Sequence, residues 1–145
     1  MVKKARGYFT VMLEGRHVMA GKMRKSAEDY LEAMLMMKEK HGFIRSVDVS
    51  EHLGVTKPSV SYAVKHLRES GHIVMDRDGF ITLTDAGMEI AADIYNRHKK
   101  LTHFFTAIGV DPDTAREDAC KVEHDLSAET FNAICRYVES VSASE

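Results

Sequence analysis

Three side chains late in the chain, Cys120, Glu123 and His124, stand at spacings i, i+3 and i+4. On a helix that spacing sets a thiol, a carboxylate and an imidazole on one flank, within reach of a single ion. Together they make a borderline-soft donor set, better suited to Fe2+, Mn2+, Co2+ or Zn2+ than to Ca2+ or Mg2+. Alone the triple is weak evidence, because solvated Glu-His pairs are common and cysteine often serves as a small core residue. His98 says more. It falls four residues after Ile94 and three before Leu101, inside an apolar stripe where an imidazole needs a partner. Either a polar neighbour in the core or a metal satisfies it. Asp29 and Glu32, at i and i+3, add two hard oxygen donors. Asp29 could equally complete a capping box begun at Ser26, and Glu32 could be a solvated helix charge.

A second constellation points to phosphate. The net charge of −2 excludes a uniformly basic nucleic-acid binder, but its distribution is uneven. Residues 1–25 carry +6, residues 26–85 carry −3 and residues 86–145 carry −5. The acidic second half has the wrong sign for nucleic acid and a suitable one for cations. Val55–Arg68, by contrast, holds Lys57, Lys65 and Arg68 and no acid, the footprint of a phosphate-facing surface. In that stretch Val60, Ala63, Val64 and Leu67 share one helical face, which leaves Ser59, Ser61, Tyr62, Lys65 and His66 on the others. Hydroxyls, an aromatic and a cation can contact phosphates and base edges in a major groove. Thr56 and Lys57 sit at the helix start, where unpaired N–H groups favour an anion. Any amphipathic helix has a polar face, so the weight rests on the missing acids, the Pro58 start and the hairpin that follows.

The elements that must carry these side chains are mostly helical. Ser26 predicts an N-cap for a helix to about Lys40, with Glu28 and Asp29 opposing its dipole. Ser46 predicts the cap of a short helix ending at Gly54, and Pro58 opens a third that stops at Gly71. Ile73-Val74-Met75 and Phe80-Ile81-Thr82-Leu83 flank Asp76-Arg77-Asp78-Gly79, a hairpin with Arg77 at its tip. Thr84 caps a long helix with an apolar stripe from Ile90 to Ile108, closed by Gly109. Asp111-Pro112 starts a fifth helix to about Leu126, and Ser127 caps a sixth. Three helices and a hairpin form a winged helix-turn-helix over residues 26–84, followed by a helical region over 85–145. Residues 1–25 read as a basic, flexible extension or a phosphate-tracking arm.

At 145 residues the chain can bury a core without disulfides. Cys120 and Cys135 form no CxxC pair, which fits a reducing cytoplasm. No apolar run approaches the ~20 residues of a membrane span. An enzyme is disfavoured: no nucleophile–base pairing or phosphate-cradling glycine loop is apparent, and six candidate donors around one or two ions leave little vacancy for substrate. A winged-helix regulator sensing an organic effector is the competing reading within the regulator class.

The chain from Ser26 to about Val138 resembles the iron- and manganese-dependent repressor family. The matching segments are Glu28-Asp29-Tyr30-Leu31-Glu32, Gly54-Val55-Thr56-Lys57-Pro58-Ser59-Val60-Ser61, Leu83-Thr84-Asp85-Ala86-Gly87, Arg97-His98 and Cys120-Lys121-Val122-Glu123-His124-Asp125-Leu126-Ser127. The resemblance implies an N-terminal winged helix-turn-helix, a helical metal-binding and dimerisation domain, and a homodimer that binds operator DNA when loaded with divalent metal. Position by position it implies Asp29, Glu32, His98, Glu123 and His124 as ligands in the manganese pattern. Cys120 departs toward the iron branch, which has a thioether where this chain has Asp29, so the hybrid leaves Mn2+ and Fe2+ both open. Thr102 and Arg116 occupy positions where the iron branch's ancillary site needs Glu and His, which implies that this second site is absent.

Overall fold

A computed structural model of the chain describes residues 17–144, with side chains from Lys25 onward. The order is α1 (His17–His41), β1 (Ile44–Arg45), α2 (Ser46–Leu53), α3 (Lys57–Glu69), β2 (Ile73–Met75), β3 (Phe80–Leu83), α4 (Asp85–Ala107), α5 (Pro112–Val122) and α6 (Ala128–Ser142). Two compact units result, Val18–Asp93 and Ile94–Glu145, and the division falls within α4.

In the first unit α1 begins at His17, so Ser26 lies inside a helix that it was expected to cap. Residues 17–25, assigned above to a flexible extension, are helical; the rest of that extension lies outside the described residues. The sequence from His17 to Lys25 is mostly Met, Lys, Arg and Ala, which favour helix, and Gly21 costs only ~1 kcal/mol against them. With Ser26 internal, Asp29 has no capping box to complete. Tyr30, Leu31, Met34, Leu35 and Met37 are all buried.

Ser46 is likewise the first residue of α2 rather than its cap. Arg45 holds the cap position with extended backbone and no capping side chain, and Gly54, at φ 65°, ends the helix. Thr56 caps α3: its Oγ1 accepts from the Ser59 N–H at 3.3 Å. Val60, Val64 and Leu67 face inward as the periodicity predicts. The hairpin pairs Ile73 with Leu83 and Met75 with Ile81. Its turn is closed by Asp76 Oδ1, which accepts from the N–H groups of Asp78 and Phe80 at 2.9 and 3.0 Å. An unanticipated strand, β1, pairs antiparallel with β3 and gives the order β1-β3-β2. Two residues are too few for any periodicity to reveal.

In the second unit Leu101, Ala119 and Phe131 form the buried centre, flanked by Phe105, Val122, Leu126, Ile134 and Cys135. Asp111 caps α5 through the N–H groups of Asp113 and Thr114, and Ser127 caps α6 through that of Thr130. Two expectations fail here. Ile108, the last member of the predicted stripe, is exposed on the turn just past the end of α4. And α5 stops at Val122 instead of Leu126, so Glu123 and His124 sit on the turn that leaves the helix.

Candidate metal centre and nucleic-acid interface

Glu123 is fully buried, and each of its carboxylate oxygens meets an imidazole. Oε2 lies 3.0 Å from His98 Nδ1 and Oε1 lies 3.3 Å from His124 Nε2. His124 is buried as well, and His98 is partly so, on α4. The turn that presents Glu123 is anchored by Arg97, one residue before His98. Its Nη1 donates to the carbonyls of Glu123 and Leu126 at 3.1 and 3.0 Å, and its guanidinium lies 4.8 Å from the centre of the Phe131 ring. Those bonds satisfy two carbonyls of the turn that follows α5.

Burial by itself would push the Glu123 carboxyl up. Hydrogen bonds from His124 and His98, and their charge when protonated, outweigh it and hold the group below the usual carboxylate range. An ionised carboxylate with two imidazole nitrogens within 3.3 Å, away from water, is a nitrogen–oxygen donor set that fits a divalent transition ion. Cys120, on the last turn of α5, is exposed and is not buried with Glu123 and His124. On α1, Glu32 is buried and Asp29 partly so.

On the first unit, Ser59, Ser61, Tyr62 and Lys65 are all exposed on α3, as are Thr56 and Lys57 at its start and Arg77 on the hairpin turn. Tyr62 is 66% exposed, and its ring lies 4.2 Å from that of His66. The Thr56 and Ser59 hydroxyls share a 2.9 Å hydrogen bond, so part of their bonding capacity goes to capping the helix.

Residues 22–79 match the family model described as the iron dependent repressor N-terminal DNA binding domain, and residues 84–144 the one for its metal binding and dimerisation domain. The chain belongs to the iron-dependent repressor family. It is 32% identical over 124 residues to the transcriptional regulator MntR of Salmonella typhimurium, covering 86% of this chain and 79% of that one. An uncharacterised helix-turn-helix transcriptional regulator of Methanocaldococcus jannaschii is 34% identical over 119 residues, 81% and 95% of the two chains. Among solved structures, a manganese-dependent transcriptional repressor in complex with manganese superposes with a TM-score of 0.71 at 26% identity, over 78% of this chain and 52% of that one. The chain thus spans about half the length of that solved relative.

Iron-dependent repressors are transcriptional regulators rather than enzymes, and the winged-helix fold expected from the sequence is the one observed. Arg97, present in the Arg97-His98 segment of the resemblance but without a role there, is a site residue: it is only 3% exposed, and its place in the same apolar stripe as Ile94 and Leu101 is the local signal for it.

Proposed function

We propose that this iron-dependent repressor family member is a cytoplasmic, homodimeric repressor that binds operator DNA when loaded with Mn2+ or Fe2+ and controls genes of divalent-metal uptake. The observation that carries this reading is Glu123, buried and ionised between His98 and His124, in a chain whose α3 carries no acid before its last residue, Glu69. His98, Glu123 and His124 would hold the ion, with Asp29 and Glu32 supplying the hard oxygens that the family resemblance assigns to them and Cys120 a thiolate. Mn2+ and Fe2+ both accept such a set; Zn2+ and Co2+ would also be taken up in vitro. When bound, the metal supplies positive charge that offsets repulsion among the carboxylates.

Asp29 and Glu32 belong to the DNA-binding half, and the remaining ligands to the half that carries dimerisation. Ligands drawn from both halves give the metal-loaded arrangement a free energy that the metal-free one lacks, and such a difference is what a switch requires. Thr56, Lys57, Ser59, Ser61, Tyr62 and Lys65 would face the major groove, with Arg77 of the wing on adjacent backbone. A dimer would then address half-sites about one DNA turn apart. Among the described residues no helix is long and apolar enough to cross a membrane.

The test is an anaerobic DNA-binding titration comparing Fe2+, Mn2+, Zn2+ and chelator, using a duplex enriched by the chain from a random-sequence pool. Binding should appear with Mn2+ or Fe2+ and vanish with chelator. His98→Ala should abolish the metal stimulation, and Cys120→Ser should change metal preference while keeping the response. Metal activation that survives His98→Ala removes His98 from the ligand set.

A further inference from the structure

We propose that Arg45 is a DNA-phosphate contact built into the base of the wing, its guanidinium held in place by two phenylalanine rings; this rests on the DNA-binding reading above. Arg45 is exposed, and its guanidinium carbon lies 4.5 Å from the centre of the Phe80 ring and 5.8 Å from that of Phe43. The two rings meet edge to face at 5.7 Å, and His41 stacks on Phe43 at 5.9 Å. Stacking engages the flat face of a guanidinium and leaves its in-plane N–H fork available to an acceptor.

Among the described residues none supplies such an acceptor. Among the described residues Arg45 has no carboxylate within ion-pair distance, and neither have Lys57, Lys65, Arg68 or Arg77. In the second unit, by contrast, Arg116 and Lys121 pair with Asp113 and Asp118. An exposed arginine serving only to cover two rings gains little from staying clear of acids. One that must meet phosphate gains a great deal, because a nearby carboxylate would compete for the same fork.

The placement agrees. Arg45 pairs in register with Phe80, the first residue after the wing turn, and immediately precedes α2. In a helix-turn-helix the first helix of the motif crosses the phosphate backbone while the second enters the groove. Arg45 therefore stands where α2 and the wing base come together. Fixing the side chain before binding also lowers the entropy lost on contact.

The test measures DNA affinity of the full chain with Mn2+ against salt, on a duplex enriched by the wild-type chain from a random-sequence pool. One phosphate contact contributes a slope of about −0.9 in log K against log salt, or about fivefold in affinity at ~0.15 M. Arg45→Met, which keeps the apolar stem on the rings, should weaken binding by about fivefold per protomer and flatten the slope by about 0.9 per protomer. Arg45→Lys should keep the slope. Thermal unfolding midpoints should match wild type; if Arg45→Met lowers its midpoint, Arg45→Gln against Arg45→Lys decides by slope alone. An unchanged slope in the neutral variants, with or without weaker binding, overturns the inference and leaves Arg45 a packing residue. A wild-type chain that enriches no duplex overturns the DNA-binding reading itself.

Discussion

Glu123 and His72 are two titratable groups that burial pushes toward neutrality, with opposite outcomes. Glu123 stays ionised because two imidazoles reach it. His72 has the Ser70 hydroxyl at 2.6 Å from Nδ1, and desolvation lowers its pKa from 6.5. The folded chain therefore holds His72 neutral at a pH where the unfolded chain takes up a proton. For a histidine with a depressed folded pKa, stability is complete above the unfolded value and declines as pH falls below it. Glu123, whose folded pKa is also depressed, adds a loss of the same sign at lower pH. Urea unfolding of wild type should show falling stability as pH drops below about 6.5, and His72→Gln should remove part of the fall between pH 7.5 and 5.5. Parallel stability–pH curves for the two proteins would mean that His72 is charged in the fold.

At the scale of elements, the ends of helices decide what could be read in advance. Thr84, Asp111 and Ser127 cap where their side chains suggest, because an N-cap is a contact over two or three residues and is written locally. The end of α5 was not legible, since Arg97 reaches it from 26 residues away. The start of α1 was misread for the opposite reason, a good local cap at Ser26 overridden by helix-favouring neighbours upstream. The start of α4 shows how tight such a junction can be. Thr84 Oγ1 donates to the Gly71 carbonyl at 2.7 Å and accepts from the Gly87 N–H at 3.2 Å. A Cβ on Gly87 would land on the His72 carbonyl oxygen and 3.0 Å from its carbon. Alanine would gain ~1 kcal/mol in helix preference, but the obstacle is backbone, and forcing atoms into filled space costs ~1–3 kcal/mol or more. With a backbone obstacle the upper end of that cost applies, so Gly87→Ala should lower the unfolding free energy by about 2 kcal/mol or more, the clash outweighing the propensity. A variant as stable as wild type in urea would show that α4 can lift away from His72 without cost.

For the molecule as a whole, the halves differ in sign and in what they ask of solvent. The lack of acids from Val55 to Arg68, which covers α3 up to its last residue, was visible in the charge pattern, and His98 in its place within an apolar stripe. What no local pattern gave was the turn that aims Glu123 and His124, since Arg97 builds it through tertiary contacts. Under the proposed function, metal binds the assembled fold and not the unfolded chain, so stability must rise with metal concentration. A ligand present at a hundred times its dissociation constant adds about 2.7 kcal/mol. His98 and His124 must be neutral to act as ligands, so protons compete and the gain must shrink as pH falls. Thermal unfolding with Mn2+ and with chelator should therefore differ clearly at pH 7.5, and much less at pH 5.5. His98→Ala should erase the difference at both values and lower the chelated midpoint as well, because it leaves the buried Glu123 carboxylate with one imidazole in place of two. Glu123→Gln keeps hydrogen bonding to the two imidazoles but removes the charge, and should likewise abolish the metal-dependent rise. If Mn2+ and chelator give the same midpoint for wild type at neutral pH, the buried Glu123 pair is a structural ion network and the metal reading falls.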